Sequence, residues 1–264
     1  MTRTTHLPDT RPALVLLHSS MSSRSQWAAL SAQLDGYRAI AIDLLGYGKA
    51  PFPSEIERDA FTLAHEVDAV NAALAAQLAP GQPFHLIGHS YGGATALRLA
   101  RQMPQRVLSL ALFEPVAFHL LPADDAARRE IGAVIAAIDG AASAHDATRA
   151  FLDYWNGAGA FDAMPAAVQQ RFSAQIAKVK LDFQALLGEP ATLADLAMLT
   201  MPALVMAGAD SPLSTRRLSA ALAQALPQAS ALQTPGGHMA PITHAQHVND
   251  AFSRFLAEAE ALQA

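Results

Sequence analysis

Cysteine is absent from the 264 residues, so disulfides, thiolate metal centres and a cysteine nucleophile are all excluded. Basic clusters are scarce as well. The longest are the pairs Arg128-Arg129 and Arg216-Arg217 in a chain of formal charge −5, which lacks the electrostatic footprint that a nucleic-acid partner requires. No apolar run reaches the roughly 18 residues of a membrane span, and the opening MTRTTHLPDTRP has no apolar stretch to serve as a secretory signal. These absences predict a cytoplasmic protein with no membrane partner and a small molecule as its ligand. A metal is not signalled either. His244 and His247 are three residues apart but lack a nearby third ligand, and helix capping accounts for them more simply.

What is present is a chain of 52% hydrophobic composition, long enough to bury a substantial core. Six short apolar runs read as strands: Ala13 to Leu17, Tyr37 to Ile42, Phe84 to Ile87, Val107 to Phe113, Ala203 to Ala207 and Ser230 to Gln233. Their apolarity is continuous rather than alternating, as expected of a parallel sheet covered on both faces. Helical periodicity separates them. Ala64, Val67, Val70, Leu74 and Leu78 recur at three- and four-residue steps before Pro80-Gly81 stops the segment. Further helices are expected over Gln26 to Leu34, Tyr91 to Met103, Thr215 to Leu226 and Ala245 to Ala261, in keeping with right-handed βαβ units.

The alternation breaks between about Val116 and Leu199, an alanine-rich stretch punctuated at Asp139-Gly140, Gly157-Ala158-Gly159 and Gly188-Glu189-Pro190. This predicts a core domain of residues 1–115 and 200–264, with residues 116–199 inserted as a helical cap.

The strongest chemical signal is Gly88-His89-Ser90-Tyr91-Gly92, set between an apolar strand and a helix. A serine in G-x-S-x-G at a sharp strand-to-helix turn projects its hydroxyl from the sheet end, and small glycines allow the close packing of the turn. The helix aims its first amides at the same place, where an oxyanion would be held. A serine hydroxyl needs a base, and His238 follows Pro235-Gly236-Gly237 after the last strand, whereas His244 and His247 fall at or inside the final helix.

Taken in order, Leu17-His18-Ser19-Ser20, Asp43-Leu44-Leu45-Gly46-Tyr47-Gly48, Gly88 to Gly92 and Gly236-Gly237-His238 resemble the α/β-hydrolase family over nearly the whole chain. The resemblance implies an α/β fold with a mostly parallel sheet of about six strands, no cofactor, and an oxyanion hole built from the backbone amides of Ser20 and Tyr91. Ser19 stands where the family usually has glycine. A local hydroxyl-to-backbone turn is the other use of such a serine. The antiparallel hairpin that usually opens the family fold is not expected, since only twelve mostly polar residues precede Ala13. Asp43 belongs to a structural turn and stays outside the triad.

Two acids compete to orient His238. The usual family position, read along Gly208-Ala209-Asp210-Ser211-Pro212, falls on Ser211, with Asp210 one residue early. Glu114, in Phe113-Glu114-Pro115 at the end of the strand after the elbow, is the preferred candidate. Haloalkane dehalogenases within the family take their acid from that place. Phe118, Tyr154 and Trp155 in the insertion are expected to contact substrate, within an apolar supply that also includes Phe151, Phe161, Met164 and Phe172. The combined expectation is a serine hydrolase acting on a small apolar or aromatic ester-like substrate through an acyl-enzyme. Carbon–carbon bond hydrolysis with the same triad, and a small-molecule receptor on the same fold, are the alternatives.

Overall fold

The computed structural model describes residues 10–262. The chain runs through β1 (Ala13–Leu17), α1 (Ala28–Gln33), β2 (Arg38–Ile42), α2 (Glu55–Asp59), α3 (Leu63–Ala75), β3 (Phe84–His89), α4 (Tyr91–Gln102) and β4 (Val107–Phe113). It continues with α5 (Ala126–Asp139), α6 (Ala144–Asn156), α7 (Ala166–Ser173), α8 (Ile176–Leu187), β5 (Ala203–Gly208), α9 (Leu213–Ala225), β6 (Ala229–Thr234), α10 (Ala240–Thr243) and α11 (Ala245–Ala261). The six strands form one sheet in the order β2-β1-β3-β4-β5-β6. Every neighbouring pair is parallel.

Alternation within β1 shows how both faces are covered. Leu14 and Leu16 pack with Trp27, Leu30 and Phe252, under α1 and α11. Ala13, Val15 and Leu17 face the opposite layer, with Val67 and Val70 of α3 and Leu97 of α4. The expectation that every strand is covered on both faces fails at β2 and β6, which are edge strands. Four residues of β6 in succession are exposed, since among the described residues β6 is the edge strand of the sheet. The first nine residues, on which the reading of the N-terminus rests, lie outside the described residues.

Strand order reverses at β1, whose neighbours β2 and β3 carry the chain off in opposite directions. A crevice opens at the carboxyl ends of strands at such a switch point, and the loop after β1 and the turn after β3 both border it. Between β4 and β5 the described chain is helical, and its apolar side chains, among them Phe151, Val179 and Phe183, merge into the same buried cluster as the α3 and α4 face of the sheet. No helix among the described residues is long and apolar enough to cross a membrane.

Candidate active site

Ser90 lies between β3 and α4 with φ 55° and ψ −121°, a positive-φ conformation that costs a non-glycine residue about 1–3 kcal/mol. The surroundings hold it there. Its N–H donates to Phe113 O at 3.0 Å, and its carbonyl accepts from Ala94 N at 3.0 Å. A Cβ on Gly92 would overlap the carbonyl oxygens of Leu17 and His18, so the turn can approach β1 this closely only with glycine at that position. Tyr91 is the first residue of α4, so its N–H is one of the amides without an acceptor inside the helix.

His238, buried on the loop after β6, places Nε2 2.9 Å from Ser90 Oγ and Nδ1 2.7 Å from Glu114 Oε2. Glu114 is fully buried just past β4, also with positive φ (41°). Its second oxygen accepts the Gly208 N–H at 2.7 Å. Burial pushes the Glu114 carboxyl up, but the hydrogen bond and charge of His238 and the bond from Gly208 outweigh it and bring the carboxyl below its ordinary range. An ionised Glu114 fixes the proton of His238 on Nδ1, leaving the Nε2 lone pair toward the serine hydroxyl.

Asp210 takes no part in this arrangement. Its side chain is exposed, and its backbone N–H is bound to Gly236 O at 2.9 Å. Ser211 beside it is buried, and the imidazole has its acid from β4 instead.

The loop after β1 holds His18, Ser19 and Ser20. Neither serine makes a local turn through its hydroxyl. Ser19 Oγ donates to Gln26 Oε1 at 3.0 Å, and Ser20 Oγ donates to Asp182 Oδ2 at 2.6 Å, across 162 residues. Asp182 belongs to a buried polar network that the sequence reading missed. Lys178 Nζ donates to Asp182 and to Glu66 Oε2 (3.2 Å), and lies within 5.0 Å of the ring centroids of Tyr47, Phe61 and Tyr91. Tyr47 OH donates to Asp182 at 2.5 Å and Tyr91 OH to Glu66 at 3.0 Å. Burial works against the Lys178 charge, but attraction to Asp182 and Glu66 prevails and raises its pKa. The i,i+4 pair Lys178 and Asp182 looks in sequence like an exposed helix pair, and only packing reveals its burial.

His89 was likewise missed as more than a filler of the motif. It is fully buried, and burial beside His238 pushes its imidazole well below the ordinary range. Since a carbonyl can only accept, the neutral ring donates from Nε2 to His238 O (2.9 Å) and accepts at Nδ1 from Gln26 Nε2 (3.1 Å).

A cavity of about 140 Å³ opens over Ser90 and His238. Its apolar lining includes Met21, Phe151, Leu152, Trp155, Phe172 and Ile242, and no Asp, Glu, Lys or Arg is among the described residues that border it. Trp155 stacks on the His238 ring, with centroids 4.0 Å apart. The other two residues expected to contact substrate lie elsewhere. Phe118 is fully buried in the core, and the Tyr154 hydroxyl is drawn away by Glu130 Oε1 (2.7 Å) and Ser214 Oγ (2.6 Å). Among the described residues no group of three or more His, Asp or Glu is arranged to hold a metal ion.

Comparison with known proteins agrees with this architecture. The chain is 37% identical to protein phosphatase methylesterase 1 of Bos taurus over 34% of its length and 24% of that protein. It is 32% identical to a fluoroacetate dehalogenase of Burkholderia sp over 42% of its length and 36% of that protein. These matches thus span only about a quarter to a third of the curated relatives. The crystal structure of a hydrolase from Pseudomonas aeruginosa PA01 superposes with a TM-score of 0.74 at 26% identity, covering 93% of this chain and 90% of that one. The family model for the alpha/beta hydrolase fold matches residues 12–245, and the chain belongs to that family.

Proposed function

We propose that the protein is a carboxylic ester hydrolase that acts on small, uncharged, largely apolar esters through an acyl-enzyme. The observation that carries this reading is the unbroken line of hydrogen bonds from Ser90 through His238 to Glu114, at 2.9 and 2.7 Å. In the proposed mechanism His238 Nε2 takes the Ser90 proton as Oγ attacks the ester carbonyl, and Glu114 stabilises the imidazolium. The amides of Ser20 and Tyr91 hold the oxyanion. His238 then protonates the departing alcohol, and water, activated by the same imidazole, releases the acid. Residues 116–199 serve as a cap whose Phe151, Trp155 and Phe172 keep the cavity apolar.

Chemistry at the nucleophile separates this from dehalogenation. A serine that displaced a halide from carbon would be left as an ether, which base-assisted water does not cleave. An acyl-serine ester is cleaved readily. A ligand-binding protein, in turn, would need neither an activated hydroxyl nor an oriented imidazole.

The test is labelling with a fluorophosphonate, followed by peptide mapping and by steady-state assay on aryl acetates. Ser90 should carry the label, Ser90→Ala should take none, and turnover should be multiple. Labelling elsewhere, or binding of one equivalent of ester without repeated product release, would reject the proposal.

A further inference from the structure

Two cavities meet at Ser90, and they share Ser20, Phe151 and Trp155 as common walls. The larger, of about 140 Å³, includes His238 and Met239 and reaches a rim at half-exposed Ile242. The smaller, of about 10 Å³, is walled by Val116, Val179, Asp182, Phe183 and Leu186, and His238 does not border it. All five walls are buried.

This asymmetry assigns the two halves of an ester. When the tetrahedral intermediate breaks, the C–O bond to the alcohol is cleaved and the leaving oxygen takes its proton from His238 Nε2. The alcohol must therefore lie on the side where His238 is, in the larger cavity. The substituent on the carbonyl carbon is left with the niche that lacks the imidazole. About 10 Å³ of free space suits one body the size of a water molecule, which is also about the size of a methyl group.

Resting on the esterase reading, we infer that the acyl half of the substrate is no larger than acetyl, and that the alcohol or phenol half is the bulky, apolar one. Val179, Phe183 and Leu186 set the limit on acyl length. Asp182 reinforces it against acids. Its oxygens already accept from Lys178, Ser20 and Tyr47, so the wall offers no donor to a second carboxylate. The reaction balances as water plus an acetate ester giving acetic acid and the alcohol, with Ser90 regenerated.

Two substrate series test this on the full chain: naphthyl acetate, propionate, butyrate and hexanoate, and acetates of methanol, butanol, phenol and naphthol. kcat/KM should fall by about tenfold or more between acetate and butyrate, since misfitting methylenes are worth at least that. Along the second series it should rise. Leu186→Ala or, if that variant folds poorly, Val179→Ala should shift the butyrate-to-acetate ratio upward by about tenfold. A wild-type preference for butyrate or hexanoate would overturn the inference and leave the esterase reading intact. So would a ratio that neither variant moves. Failure to turn over any ester, together with no phosphonate label on Ser90, would overturn both.

Discussion

His89 Nε2 lies 2.9 Å from the carbonyl oxygen of His238, so the residue next to Ser90 holds the loop that carries His238. The same ring accepts from Gln26, which in turn accepts from the N–H and hydroxyl of Ser19. One neutral imidazole thereby ties the Ser90 turn, the loop after β1 and the His238 loop together.

Replacing His89 with Ala should release the His238 loop and reduce kcat by about 100-fold, the scale of a misplacement near 1 Å. KM should change little, because His89 does not border the cavity. His89→Gln, which keeps a donor, should recover part of the loss. Equal defects in kcat and in thermal stability for both variants would point to a purely structural role.

Glu114→Gln removes the charge that sets the His238 tautomer and should lower kcat by about four orders of magnitude. Asp210→Asn, at an exposed position while the imidazole's Nδ1 is bonded to Glu114, should stay within about twofold of the wild type. Steady-state kinetics on an aryl acetate distinguishes them, and the reverse order would transfer the role to Asp210.

Lys178→Met leaves Glu66 and Asp182 without a cation in a site closed to water. Unfolding in urea should show a loss of about 3–5 kcal/mol. Adding Glu66→Gln and Asp182→Asn should restore much of it, because the stranded charges are then gone. An unchanged urea midpoint for the single variant would mean that the carboxyls do not depend on Lys178.

His18 donates from Nδ1 to Ser19 O (2.7 Å) and accepts Leu44 N–H at Nε2 (3.0 Å), and burial lowers its pKa from 6.5 to about 4. Between those values the unfolded chain binds a proton that the folded chain refuses, so stability falls as pH falls, by about 3 kcal/mol from this group at pH 4. Glu114 acts in the same direction at the acid end: its depressed pKa contributes stability above its ordinary value of 4.5, lost as pH drops through the folded value. Urea midpoints from pH 7.5 to 4 should decline, and His18→Gln should make the decline between 6.5 and 4 shallower, the remainder coming from His89 and His119, whose pKa values burial also lowers. A flat wild-type profile would contradict the buried neutral state of His18.

The turn at Ser90 was legible from five residues because its causes are local: a strand, a strained serine, a helix, and glycines where backbone must approach backbone. The strands were legible for a related reason. Continuous apolarity reports burial on both faces, and β1 and β4 begin and end where that pattern does. Phe118 and Tyr154 do not reach the cavity because the alanine-rich helices between β4 and β5 have several apolar faces, and which one turns toward Ser90 depends on packing against the sheet.

By itself the amino-acid order determined the strand-and-helix alternation, Ser90 at a forced bend, and a histidine on a glycine-rich loop after the last strand. Tertiary structure alone set Glu114 rather than Asp210 beside His238, buried Lys178 with Asp182 behind the Ser20 loop, and divided the space over Ser90 into a large cavity and a small niche. The reason is distance along the chain. Glu114 and His238 are 124 residues apart, and a hydrogen bond between them exists only once the sheet has brought the ends of β4 and β6 to the same edge.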